Sequence, residues 1–99
     1  MRTSKNYLYY FEFFCGTYEN SFYKQLTAEN ERDAILQAVS YFMDCEPEAA
    51  EEYLNKEIGR KWTVEKFWRK SDRRFHHEDW FAAYTLLSLT EIDFDLRNL

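Results

Sequence analysis

The sequence predicts an α+β domain: a four-stranded antiparallel sheet in the order ββααββ, with two helices packed on one face. Three observations carry this reading. An aromatic run at residues 6–15 is followed by a turn signal and a second alternating run. Two stretches between residues 28 and 59 carry apolar residues at helical period. The chain then returns to alternation at residues 61–68 and again toward its end.

Residues 6–15, NYLYYFEFFC, form the first strand, since Tyr and Phe favour the pleated sheet. Tyr7, Tyr9, Phe11 and Phe13 point one way, and Leu8, Tyr10, Glu12 and Phe14 the other. GTYENS at residues 16–21 is the turn, and SFYKQL at 21–26 is the second strand of a hairpin. Thr27 is the expected N-cap of the first helix, with Glu29 and Glu31 favouring its positive end. Ala34, Ile35, Ala38, Val39 and Phe42 make its apolar stripe. Pro47 suits the first turn of the second helix and Gly59 its left-handed cap. Ala50, Tyr53, Leu54 and Ile58 form that helix's narrower stripe.

KWTVEKFW at residues 61–68 alternates and reads as the third strand. RKSDRRFHHED, residues 69–79, is a charged loop. The fourth strand runs from about Ala82 to Leu96, bulged near Thr90, on the strength of the alternation in TEIDFDL; a buried helix over residues 79–89 is the alternative.

Residues 1–99 form one domain at this length. The charged fraction of 31% combined with 20% aromatic content excludes a disordered chain. MRTSKN lacks the apolar core of a signal peptide, and no apolar run is long enough to span a bilayer. Cys15 and Cys45 are the two cysteines, too few for a disulfide framework, and read as free thiols in a cytoplasmic protein.

Several chemistries find little support. Gly16 and Gly59 stand alone, so no phosphate-cradling loop is present. His76 and His77 are adjacent and remote from the cysteines, which does not match a zinc ligand set. With Glu78 and Asp79 they read as a polar loop, not an acid–base pair. The expectation is therefore no enzyme, no metal and no cofactor.

Charge is unevenly placed. Residues 28–59 carry nine acids against two bases, whereas residues 60–77 carry seven bases against two acids, in a chain of net charge -5. Aromatic residues occur on both faces of the sheet, and two helices can cover only one. Three or four uncovered rings, at roughly 150–250 Å² each, together exceed the roughly 300–600 Å² apolar patch of an ordinary monomer. The function expected is therefore protein binding, by a small acidic inhibitor or accessory factor acting on a nucleic-acid-handling complex, with a second copy of the chain as a further candidate partner. Tyr7, Tyr9 and Phe11 are the expected apolar contact, and Glu48, Glu51 and Glu52 the acids that steer association. The alternative is binding of single-stranded nucleic acid through Arg69, Lys70, Arg73 and Arg74, with neighbouring rings as stacking platforms.

Overall fold

The computed structural model describes residues 4–78 and 81–94. Its elements are β1 (Lys5–Cys15), β2 (Tyr18–Ala28), α1 (Glu31–Met43), α2 (Pro47–Ile58), α3 (Val64–Arg69), β3 (Arg74–His76) and β4 (Ala82–Ile92). The four strands form one antiparallel sheet in the order β2-β1-β4-β3. The α+β class and the four-stranded sheet are as the sequence predicts. The element order differs, because a third helix stands where a strand is expected.

The hairpin is tighter than GTYENS suggests. Strand pairing runs without interruption from Lys5↔Ala28 to Cys15↔Tyr18, leaving Gly16 and Thr17 as a two-residue loop. Gly16 has φ 63. A positive φ at the first central position, with none at Thr17, is the signature of a type II′ turn, whose twist matches the flanking strands. Asn20 therefore lies within β2.

Helix α1 starts three residues later than Thr27 suggests. Asn30 is the N-cap, with its side chain accepting from the Asp33 N–H at 2.8 Å. The Asp33 carboxylate in turn accepts from the Glu29 N–H at 3.1 Å, so two donors at the helix start are satisfied reciprocally. Ala34, Ile35, Ala38, Val39 and Phe42 are all buried, as their spacing requires. Helix α2 has Pro47 in its first turn and ends on Gly59 at φ 84. Helix α3 is capped by Thr63, whose hydroxyl accepts from the Lys66 N–H.

The residues of KWTVEKFW fit two periods. Alternation sets Trp62, Val64 and Trp68 apart from Phe67, while a helix groups Val64, Phe67 and Trp68 at i, i+3 and i+4. The cap at Thr63, Glu65 in the first turn and Arg69 in the last tip the segment to helix. The sheet place then falls to Arg74–His76 inside the expected loop, pairing with Ala83–Thr85. Strand β4 is a strand and not a helix from Ala82, and it ends at Ile92; the expected continuation past Phe94 and residues 79–80 lie outside the described residues. Its bulge is earlier than Thr90. Tyr10 faces Ser88 and Phe11 faces Leu86, so Leu87 is the extra residue.

Registered partners share a face of the sheet. The covered face therefore carries Tyr7, Tyr9 and Phe11 of β1 with Leu26 and Ala28 of β2, Leu86 of β4 and Phe75 of β3. Phe42 of α1 sits at the centre of this layer, its ring 4.9 Å from Tyr84, 5.3 Å from Phe11 and 6.0 Å from Phe75. Phe67 of α3 stacks on the other side of Phe75, and Tyr53 of α2 meets its edge. So α2 and α3 close the β3 side of the core, while α1 reaches toward β2.

Buried tyrosines give the fold an alkaline limit. Burial pushes the Tyr9 and Tyr7 phenols up from the ordinary 10.0. Tyr53 is pushed up to about 12 by burial, then by its hydrogen bond to Glu57 and the charge of that carboxylate. The folded state holds these protons more tightly than the unfolded one. Stability is thus intact below the unfolded tyrosine value of about 10 and falls as pH rises toward the folded value. Urea midpoints near pH 8 and about pH 11 should show the loss, with the share of tyrosinate absorbance that comes from the buried phenols appearing together with loss of helix signal. Complete tyrosine ionisation in a chain that keeps its native circular dichroism would contradict this.

Candidate interaction surface

An 11-residue strand spans roughly 36 Å and a 13-residue helix about 20 Å. Helix α1 therefore covers only part of the β1–β2 hairpin, and the turn end projects beyond it. The rings on that projection are left in solvent: Tyr18 is 53% exposed, Phe22 38%, Tyr23 66%, and Tyr41 on the adjacent flank of α1 48%.

Phe11, Phe13, Phe22, Lys24, Tyr41 and Tyr84 line a shallow apolar cleft of ≈ 330 Å³ on the helix side of the hairpin. The Lys24 ammonium lies 4.1 Å from the centre of the Tyr41 ring, so it folds back toward α1. On the opposite side of the sheet Tyr10 and Tyr23 pack with ring centres 4.6 Å apart, and the Arg74 guanidinium rests 4.6 Å from the Phe14 ring. Among the described residues that face carries no helix. Both sides of the projecting hairpin are thus aromatic.

The expected contact residues Tyr7, Tyr9 and Phe11 are not on this surface. They are 4%, 1% and 6% exposed, under α1. The physical reason is that the hairpin register places them beside Leu26, Lys24 and Phe22 on the covered face, with Leu89 and Leu86 across β4. Every ring of β1 is buried or partly buried, and the exposed rings at this end of the molecule belong to β2 and α1, with Phe13 partly buried beside them. Tyr41 was hidden in the sequence because it adjoins Phe42 in α1; its position one step off the buried stripe was the available signal.

Glu48 and Glu52 project from α2 into solvent. Glu51 is engaged, accepting from the Arg32 guanidinium at 2.8 Å. The same guanidinium stacks 4.3 Å from the Trp62 ring, so Glu51 belongs partly to the packing between α1 and the segment after α2.

Of the four bases of the nucleic-acid reading, Arg69 and Lys70 come together beside α3, while Arg73 and Arg74 lie elsewhere. Arg69 pairs with Glu65 one turn back on α3 at 2.6 Å. Lys70 shares a cleft of ≈ 320 Å³ with Arg60, Lys66 and Arg69, between the end of α2 and α3. Arg73 turns inward to the main-chain oxygens of Trp68, Lys70 and Leu86. Arg74 lies on the open face of the sheet, beside Phe14 and within 3.5 Å of the Thr85 hydroxyl. The rings expected to stack bases, Trp62, Phe67 and Phe75, are buried in the core, and Trp68 donates its indole N–H to Glu31.

His77 approaches the Asp44 carboxylate at 3.6 Å. Cys15 at the end of β1 and Cys45 after α1 are both free thiols. Among the described residues no three His, Cys, Asp or Glu side chains are grouped as a metal site, and no helix is long and apolar enough to cross a membrane. Compared with known proteins, the chain matches no family model, no curated sequence and no solved structure.

Proposed function

We propose that the chain works by binding another polypeptide, without catalysis, through the projecting part of the β1–β2 hairpin and the flank of α1 beside it. The observation that carries this reading is the set of half-exposed rings at Tyr18, Phe22, Tyr23 and Tyr41. Tyrosine and phenylalanine in solvent supply large contact area at low cost in side-chain entropy, which is why such rings dominate protein contact surfaces. Their number on one end of a small domain exceeds the scatter of single exposed apolar residues that any monomer shows.

The acids of α2 support the finer reading. Glu48 and Glu52 stand on the same helix face one turn apart, in a block of net charge -7. Such a face complements a basic surface, and a protein that handles nucleic acid carries one. In this reading the chain is an inhibitor or accessory factor, held by its aromatic end and steered by its acidic helix.

The test is photo-crosslinking from benzoylphenylalanine placed singly at positions 22, 23 and 41, in the cells that produce the protein, with exposed Lys61, beyond the end of α2, as the control position. The expected result is a polypeptide adduct from the three aromatic positions and none from position 61. Absence of adducts at all three, or adducts to nucleic acid in place of protein, would overturn the reading.

A further inference from the structure

We propose that β2 is a self-association edge: two copies of the chain pair β2 against β2, antiparallel and centred on Tyr23, joining two four-stranded sheets into one of eight strands. This rests on the protein-binding reading and names the partner of that surface as a second copy.

The two edges of the sheet are treated differently. The β3 edge is three residues long, which is how sheets commonly avoid edge-to-edge pairing. The β2 edge is eleven residues long, has β1 as its single sheet neighbour among the described residues, and pairs with β1 without a bulge. It contains no proline and one lysine, Lys24, which folds back over Tyr41. Proline, a bulge and an outward-pointing lysine, three devices within a strand that blunt an open edge, are therefore absent from β2, where the edge is longest.

Hairpin geometry fixes which groups face outward. Cys15 and Tyr18 close a two-residue loop and so form a hydrogen-bonded pair. Alternation then directs the main-chain groups of even-numbered β2 residues toward β1 and those of odd-numbered residues, including Glu19, Ser21, Tyr23 and Thr27, toward the open edge. The Ser21 N–H agrees, since its acceptor is the side chain of Asn20 at 2.8 Å and not a β1 carbonyl.

A twofold axis normal to the sheet keeps the helices of both copies on one side, so opposed residues have the same parity. Centring on Lys24 would oppose two ammonium groups. Centring on Tyr23, the midpoint of Tyr18–Ala28, overlaps all eleven residues and opposes no like charges. It places Lys24 opposite Phe22 of the second copy and Glu19 opposite Thr27. On the open face it builds a row of four tyrosines, extending the Tyr10–Tyr23 contact already present. The four exposed rings contribute roughly 400 Å² of apolar surface. The strand's main chain and remaining side chains bring the patch toward the roughly 800 Å² per partner of a standard interface. Charge does not oppose the pairing: β2 carries one acid and one base, and the acidic helix α2 lies over the β3 side, so the two α2 helices end up at opposite ends of the dimer.

Sedimentation equilibrium of the full chain tests this. The expected mass at ~100 µM is twice the 12.2 kDa of one chain. Tyr23→Pro removes an edge-facing N–H and leaves the β1 ladder intact; it should weaken dimerisation at least ~10-fold. A second variant covers misfolding of the first. In a Cys15→Ser chain, Tyr23→Cys puts two thiols across the axis with Cα atoms about 5.5 Å apart, within disulfide range. Mild oxidation should give a covalent dimer from that chain and not from Phe81→Cys in the same background. A monomer at all concentrations, a folded Tyr23→Pro chain that still dimerises as well, or no disulfide through position 23 would overturn the proposal. Adducts to a different protein from positions 22, 23 and 41, together with a monomeric chain, would overturn self-pairing while leaving the binding reading in place.

Discussion

Replacing Phe42 by alanine is expected to lower stability by about 3–5 kcal/mol, the range for removing a buried aromatic ring. A domain of this length has roughly 5–15 kcal/mol in total. The cost should be at the upper end, because much of the wall of the space left behind would be planar rings that collapse into it poorly. Five other rings surround it: Tyr9 and Tyr41 edge-on, Tyr84 and Phe75 stacked, and Phe11 tilted. Planar side chains tied to three strands cannot rotate into the gap without leaving their own staggered conformations. Phe42 also joins the layers, since it is the α1 residue that meets β1, β3 and β4 at once. Urea unfolding should show a midpoint lower by about 2–4 M. Phe81→Ala is the matched control, for that ring is 98% exposed and its loss should change stability by no more than ~0.5 kcal/mol. A midpoint shift below about 1 M for Phe42→Ala would contradict the central place given to this ring.

The position of Phe42 was legible in the sequence and the position of the contact surface was not. The difference is physical. A helix with Ala34, Ile35, Ala38, Val39 and Phe42 on one stripe has a single way to bury them, and its period alone specifies it. Strand β1 has no such asymmetry. Tyr7, Tyr9 and Phe11 alternate with Leu8, Tyr10 and Phe14, and both sets are apolar, so alternation does not say which lies under the helices. The deciding contacts are made across β4 and by α1, far away in sequence. Helix α3 was missed for a related reason: six residues make less than two turns, too few for one period to exclude the other. The hairpin's projection was also out of reach, because it depends on how far β2 runs past α1. That length became visible only once the two-residue loop at Gly16 placed Tyr18, Asn20 and Phe22 inside the strand.

Arg73→Ala is expected to cost about 2–4 kcal/mol, and Arg73→Lys nearly as much. Arg73 stands in a run of bases that reads as a surface for phosphate, but its guanidinium is occupied within the fold. Three of its five N–H groups donate to main-chain oxygens, to Lys70 at 2.7 Å, Leu86 at 3.1 Å and Trp68 at 3.3 Å. The oxygens of Trp68 and Lys70 belong to the end of α3, where helical carbonyls lack partners and a cation is favoured. The oxygen of Leu86 belongs to β4, whose N–H at the same residue returns a bond to the Arg73 carbonyl. One planar fork thus fastens α3 to the sheet, and its face lies 5.3 Å from the Trp68 ring. A lysine carries the charge but not the fork, so it cannot hold both elements. Arg69→Ala should leave the urea midpoint almost unchanged, because its pair with Glu65 is exposed on both sides. If Arg73 instead served an external anion, Arg73→Ala and Arg69→Ala would give the same midpoint, and the effect of each would appear in oligonucleotide binding. A clear drop for Arg73→Ala and Arg73→Lys, with little change for Arg69→Ala, places the guanidinium in the architecture. The nucleic-acid reading then keeps only Arg69, Lys70 and Arg74, divided between α3 and the open face of the sheet.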